Sequence, residues 1–311
     1  MSEPKSLPND DYTIGWIAAL HIERAAAEGM LEEKHGPQQF NIVIAGLPDS
    51  QVGSSPAASV AKSMLFTFPN IRVGLMVGIG GGIPENDENS IDEEESIRLG
   101  DVVISSDKAT GGVIAYDFGK LLADGSIQQA YALNRPPESI SAAVGKLRAK
   151  HERYDNKIPD YIEEMLKRYP KMEKKWTRPD PVNDRLFRAE YTHKDNILSC
   201  ESCDQSQIID RMPREEPSPV IHYGIIASGN AEYGWAWARD ELRNKYQAIC
   251  IETEAAGLMN VFPCIFIRGI SDYADSHKND MWQRYAAATA AACAKELLEH
   301  LPPHRAEICH A

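Results

Sequence analysis

No apolar run in this 311-residue chain approaches the length of about 18 residues that crosses a bilayer. The first eleven residues are polar and lack the apolar core of a secretion signal. Base is scarce beside acid: 33 lysines and arginines face 46 aspartates and glutamates, a net charge of −13. That balance argues against nucleic acid or an anionic membrane as partner and suits a small neutral ligand. Cysteine is sparse and scattered, six in all; Cys250 and Cys264 lie in apolar runs, where the residue acts as a small hydrophobe. A soluble, reducing compartment, the cytoplasm, is expected. No internal repeat is visible. What the chain has in quantity is apolar side chain, 43% of its residues, enough for a sizeable core.

Strand-like and helix-like segments alternate along the first half. Residues 12–19, 40–45, 71–77 and 101–105 read as strands, with helices at 21–34 and 54–66. The rhythm resumes late, with strands at 220–227, 248–251 and 263–269 and helices at 236–246, 254–260 and 281–300. Such alternation predicts an α/β sheet covered on both faces. Two stretches interrupt it. Residues 85–97 hold seven acids and no base and read as an exposed, mobile loop. Residues 121–219 read as an insertion, helical over 139–172 and Pro/Asp-rich loop over 176–184, within a single domain spanning 1–311.

Several groups could carry chemistry. Gly78-Ile79-Gly80-Gly81-Gly82 closes a strand. Glycines there allow close approach and positive φ; a tight turn and a ligand-facing edge are both open. A dinucleotide fingerprint needs a helix directly afterwards, and Pro84 with an acidic stretch follows instead. Glu23 sits just after the first strand, as a helix cap or a general base. Glu252 and Glu254 straddle Thr253 at a strand-to-helix junction. There a carboxylate can accept both vicinal hydroxyls of a ribose or simply oppose the helix dipole. Asp272, after Ser271 at a strand end, can be an acid of raised pKa or a turn cap; Asp275 reads as a cap. Cys200-Glu201-Ser202-Cys203 has zinc-knuckle spacing, with His193 near and His222 farther off in sequence. It is the single such pair, so no metal and no cofactor are expected.

At these residues the chain resembles the nucleoside phosphorylase/nucleosidase superfamily, over nearly its whole length. The carrying motifs are residues 74–84, 98–103, 116–120, 222–230, 251–257 and 268–275. The likeness is greatest to a fungal branch found as the N-terminal domain of NACHT- and repeat-containing signalling proteins. No NACHT or repeat region follows in this chain, from which a free-standing enzyme is expected. The resemblance implies a three-layer α/β/α fold around a twisted mixed sheet, here with a helical insertion. It implies cleavage of the N-glycosidic bond of a nucleoside, and a homo-oligomer, with a dimer favoured. By resemblance Asp272 protonates the departing purine with Ser271 orienting it, and Glu254 holds the ribose. Gly80 and Gly81 line sugar and base, and Ser228, Asn230, Glu232 and Tyr233 lie in the base-side segment. Two departures bear on substrate: Thr253 stands where the family usually has Met, and Glu232 and Tyr233 replace its usual apolar or aromatic pair.

The same resemblance favours water over phosphate. The phosphorylases' phosphate-holding Arg falls on Met76, the residue after the first glycine is Ile79, and the first-strand loop carries Glu23 instead of a basic residue. Desolvating a dianion among these groups would be prohibitive. Glu23 matches the glutamate that activates water in methylthioadenosine/S-adenosylhomocysteine nucleosidases. The expectation is a purine nucleosidase with Asp272 as acid and Glu23 as base; a phosphorylase and a non-catalytic nucleoside sensor are the alternatives.

Overall fold

A computed structural model of the protein describes residues 7–31, 40–85, 96–121, 127–129, 132–193, 199–214, 216–230 and 235–302. Acidic residues 86–95, and Glu232 and Tyr233, expected at the base, lie outside them.

The core is a mixed sheet. Strands β1 (Ile14–Ala18), β2 (Ile42–Gly46) and β3 (Val73–Gly82) run parallel. Strand β10 (Ile265–Asp272) continues parallel beside β3, and β4 (Val102–Ser105) joins β10 antiparallel. Strands β8 (Ile221–Ser228) and β9 (Ala248–Glu252) run parallel to β4, and β9 returns to meet β3 antiparallel. Strands β10, β4, β8, β9 and β3 therefore close into a ring, from which β1 and β2 extend as an open wing. The short β5 (Val113–Ala115) adds to β8, and β6 (Gly119–Leu121) and β7 (Ile127–Gln129) make a separate hairpin.

Helices cover the sheet because the strands are apolar on both faces: all of β1 and all of β10 are buried. Helix α1 (His21–Met30) follows β1 and α2 (Ser54–Thr67) follows β2. The stretch between β7 and β8 supplies α3 (Glu138–His151), α4 (Ile158–Arg168) and α5 (Pro170–Trp176). Later come α6 (Ala236–Tyr246), the one-turn α7 (Ala255–Leu258) and α8 (Gln283–Leu298). Ala-rich α8 is sheathed almost all round: β10 and β3 lie on one side, and α1, α3, α4 and α5 on the others. Small side chains make that crowding possible.

The α/β alternation and three layers are as the residues and the resemblance implied. Three details differ. The glycines of 78–82 are not a turn: they continue β3 to its end, and none has positive φ. The helix read over 254–260 shrinks to a single turn, α7. The interruption begins with a hairpin before any helix, because β6 and β7 pair locally with each other.

Candidate active site

Strand β3 is the axis of the site. Its Gly81 is register partner to both Asp272 of β10 and Ile251 of β9, and Ser228 of β8 pairs with Glu252. The carboxyl ends of four strands thus meet at one place although two run against the other two. At the end of β10 the register slips between Ile270 and Asp272, leaving Ser271 as the extra residue. Such a bulge re-aims the side chain that follows it.

A first group of side chains surrounds Arg268, which is fully buried in the middle of β10. Its Nη2 donates to Glu252 and, at 3.2 Å, to Glu254 Oε2. Its Nη1 stands 4.0 Å from Glu23 Oε1. Glu23 is itself buried: Oε2 accepts from the backbone of Ala19 (2.7 Å) and Leu20 (2.9 Å), and Oε1 from Ile79 N–H at 2.8 Å. It therefore both caps α1 and reaches across to β3. Burial pushes its carboxyl up to about 7, with Arg268 opposing the rise and Glu254 adding to it. A Cβ on Gly78 would fall within 3.0 Å of both Glu23 Oε1 and Arg268 Nη1, so only glycine lets them close over β3 here.

The two acids straddling Thr253 divide the roles left open for them. Glu252 caps α7, accepting from Glu254 N–H (3.1 Å) and Ala255 N–H (3.0 Å). Glu254 Oε1 accepts from Gly53 N–H at 3.1 Å and from the Thr253 hydroxyl at 2.7 Å. With the Arg268 contact, three of the roughly four lone-pair positions of this carboxylate are used.

A second group lies farther along the same two strands. Asp272 Oδ2 accepts from Ser271 Oγ at 2.8 Å and Oδ1 from Ala274 N–H at 2.9 Å. A Cβ on Gly81 would stand 3.1 Å from Asp272 Oδ1. Gly78 and Gly81 are three residues apart, so about 10 Å of strand separates the Glu23 end from the Asp272 end. Beside Asp272 opens a cavity of about 160 Å³ lined also by Ser271, Phe187, Cys200 and His277; neither Glu23 nor Glu254 lines it.

Of the residues expected at the site, Glu23, Thr253 and Glu254 are brought together around Arg268. Ser271, Asp272, Gly80 and Gly81 form the second group. Ser228 is fully buried and accepts from Ala256 N–H at 2.8 Å, a support for α7. Exposed Asn230 accepts from Ser54 Oγ (2.8 Å) and donates its N–H to Asp117 Oδ2 (2.6 Å). Asp275 caps a turn at His277 N–H, as read. Met76 is fully buried in the core. The guanidinium at this place comes instead from Arg268, which the sequence reading missed. Its signal was a lone cation in an apolar strand, which burial tolerates only beside acids.

No family model matches the chain. Among curated proteins, a nucleotide-binding leucine-rich repeat (NLR)-like protein of Hyaloscypha variabilis is 39% identical over 96% of this chain. The chain spans 31% of that relative's length. Among solved structures, futalosine hydrolase of Helicobacter pylori superposes with a TM-score of 0.57 at 16% identity, covering 94% of this chain and 99% of that one. Methylthioadenosine/S-adenosylhomocysteine nucleosidase of Neisseria meningitidis, in complex with methylthio-immucillin-A, gives 0.57 at 17% identity, with 93% and 99% covered. The fold is that of these nucleosidases. The stretch between β7 and β8 packs α3, α4 and α5 on α8, and its Phe187 and Cys200 line the cavity beside Asp272. Among the described residues, no helix is long and apolar enough to cross a membrane.

Proposed function

We propose that the protein hydrolyses the N-glycosidic bond of a purine nucleoside, releasing free base and ribose. The observation that carries this reading is Glu23: a buried carboxylate beside Arg268 and Glu254, one strand segment from Asp272. Arg268 Nη1 makes no hydrogen bond to the protein, so an oxygen placed between it and Glu23 would satisfy a buried donor. That is where an attacking water belongs. Glu254 offers its remaining lone pair to the ribose hydroxyls. Asp272, oriented by Ser271, gives its proton to the leaving purine as the C–N bond lengthens. Glu23 takes a proton from the water on the opposite side of the sugar.

Phosphate suits this place poorly. One guanidinium is shared by Glu23, Glu252 and Glu254, leaving an excess of negative charge for a dianion to meet. The structural neighbours support the reading, since the Neisseria protein bears the name of a nucleosidase and holds a nucleoside analogue. The NLR-like relative favours a second reading, a nucleoside-binding module of a signalling protein without turnover. A homodimer is also proposed: Val52 and Phe118, about half exposed, adjoin Gly53 and Asp117 at the site's edge.

The test is incubation with adenosine, inosine and guanosine, with and without phosphate, following free base. Release independent of phosphate is expected, and Asp272→Asn should slow it by about 10²–10⁴-fold. Phosphate-dependent release means phosphorolysis, and saturable binding with no release means a sensor.

A further inference from the structure

The insertion carries a second constellation that the chemistry above does not use. A loop leaves and re-enters the fold through the bridge Phe187↔Ile208, fastened by Arg188 N–H to Gln207 O (2.9 Å) and Ile209 N–H to Leu186 O (2.8 Å). His193 stands on its outgoing limb. On the returning limb a one-turn 3-10 helix, Cys200–Ser202, brings Cys203 back beside Cys200. The ligand atoms of His193, Cys200 and Cys203 all lie within 4.8 Å of one another. Neither thiol is in a disulfide.

We propose that His193, Cys200 and Cys203 hold one zinc ion that pins this loop to the wall of the Asp272 cavity. Two thiolates and an imidazole are the soft and borderline donors zinc takes, not those of magnesium or calcium. With Zn–S bonds of about 2.3 Å, tetrahedral geometry sets sulfur atoms about 3.8 Å apart, so the cluster closes by moving about 1 Å or less. The histidine has the kind of support such ligands have: its Nε2 lies 3.2 Å from the Ser199 carbonyl. Next to the cluster lies His277, 6% exposed, its ring centroid 5.5 Å from that of His193. Neither His277 ring nitrogen has a hydrogen-bond partner, and Nδ1 is 3.8 Å from Asp275 Oδ1. The His277 ring stacks on Phe187, centroids 3.9 Å apart, beside the three residues whose ligand atoms gather. His193 N–H to Ser276 Oγ (2.9 Å) and Cys200 Sγ to His277 O (3.8 Å) already tie the loop to the segment that follows Asp272. His222 is elsewhere, bonded to Asp101.

The experiment uses the full chain purified without chelator. Elemental analysis should find about one zinc per chain. Cobalt titration of the stripped protein should give thiolate-to-cobalt charge-transfer absorption saturating at one equivalent. The Cys200→Ser/Cys203→Ser double variant should lose that absorption, and His193→Ala should weaken cobalt binding by at least about tenfold. A readout without mutation is alkylation of Cys200 and Cys203 in the stripped chain, which added zinc should slow. Three results overturn the proposal: metal content no higher than in the double variant, no protection from alkylation, or a Cys200–Cys203 disulfide with no metal.

Discussion

Two buried carboxylates of this protein sit beside arginine and end in opposite states. Asp101 takes a bidentate pair from Arg214, 2.7 Å to each oxygen, with His222 Nε2 at 2.9 Å and backbone N–H groups of Arg98 and Val220. Burial pushes its carboxyl up, but the hydrogen bonds and charges of Arg214 and His222 outweigh it and hold the group at about 2. Glu23 is as buried, yet its arginine is 4.0 Å away and shared with Glu252 and Glu254, and burial wins. One acid per cation makes a structural clamp. Three acids on one cation make a group ready to give or take a proton near neutrality.

The largest difference should appear in turnover. Glu23→Gln should lower kcat for base release by about 10²–10⁴-fold. The base must be ionised, so wild-type activity should rise with pH through about 7, a limb the variant should lack; a limb retained in the variant would detach it from Glu23. Next, Arg268→Met should cost about 3–5 kcal/mol in urea unfolding, because three carboxylates are left without their cation. Arg214→Met strands one acid and should cost less; equal losses would end the contrast.

A smaller effect is expected at Asp101. Its folded pKa lies below the unfolded value of 3.8, so it stabilises at neutral pH, by about 2 kcal/mol. That contribution is lost as pH falls from about 4 to about 2. Asp101→Asn should flatten this acid limb and leave turnover per folded molecule unchanged. For Glu23 the sign reverses: the folded pKa is raised, so stability falls as pH rises from about 4.5 to about 7. The smallest effect is at exposed Gly145 in α3, where an added Cβ meets nothing within 4 Å. Gly145→Ala should raise stability by about 0.5–1 kcal/mol with no change in activity, which calorimetry would show.

Much of this was legible in the residues. The apolar runs of β1, β3 and β10 and the helices after β1 and β2 follow from periodicity and stop signals, because those act within a few residues. Glu23, Glu254 and Asp272 stood out as acids at strand ends. Arg268 did not, since its meaning depends on three acids that the fold gathers from β1–α1, β9 and the start of α7. The zinc-knuckle spacing was visible too, but as one pair. His193 joins it only through a loop closed at its base by Phe187 and Ile208.

The sequence by itself determined the α/β rhythm, the acids at the strand ends and the glycines of β3, all properties of short segments whose pattern and propensity are local. The tertiary structure alone decided that β3 meets β9 and β10 at the same residue and that one guanidinium serves three carboxylates. Charge balance in a buried place is a sum over neighbours, and neighbours are fixed only when distant segments pack.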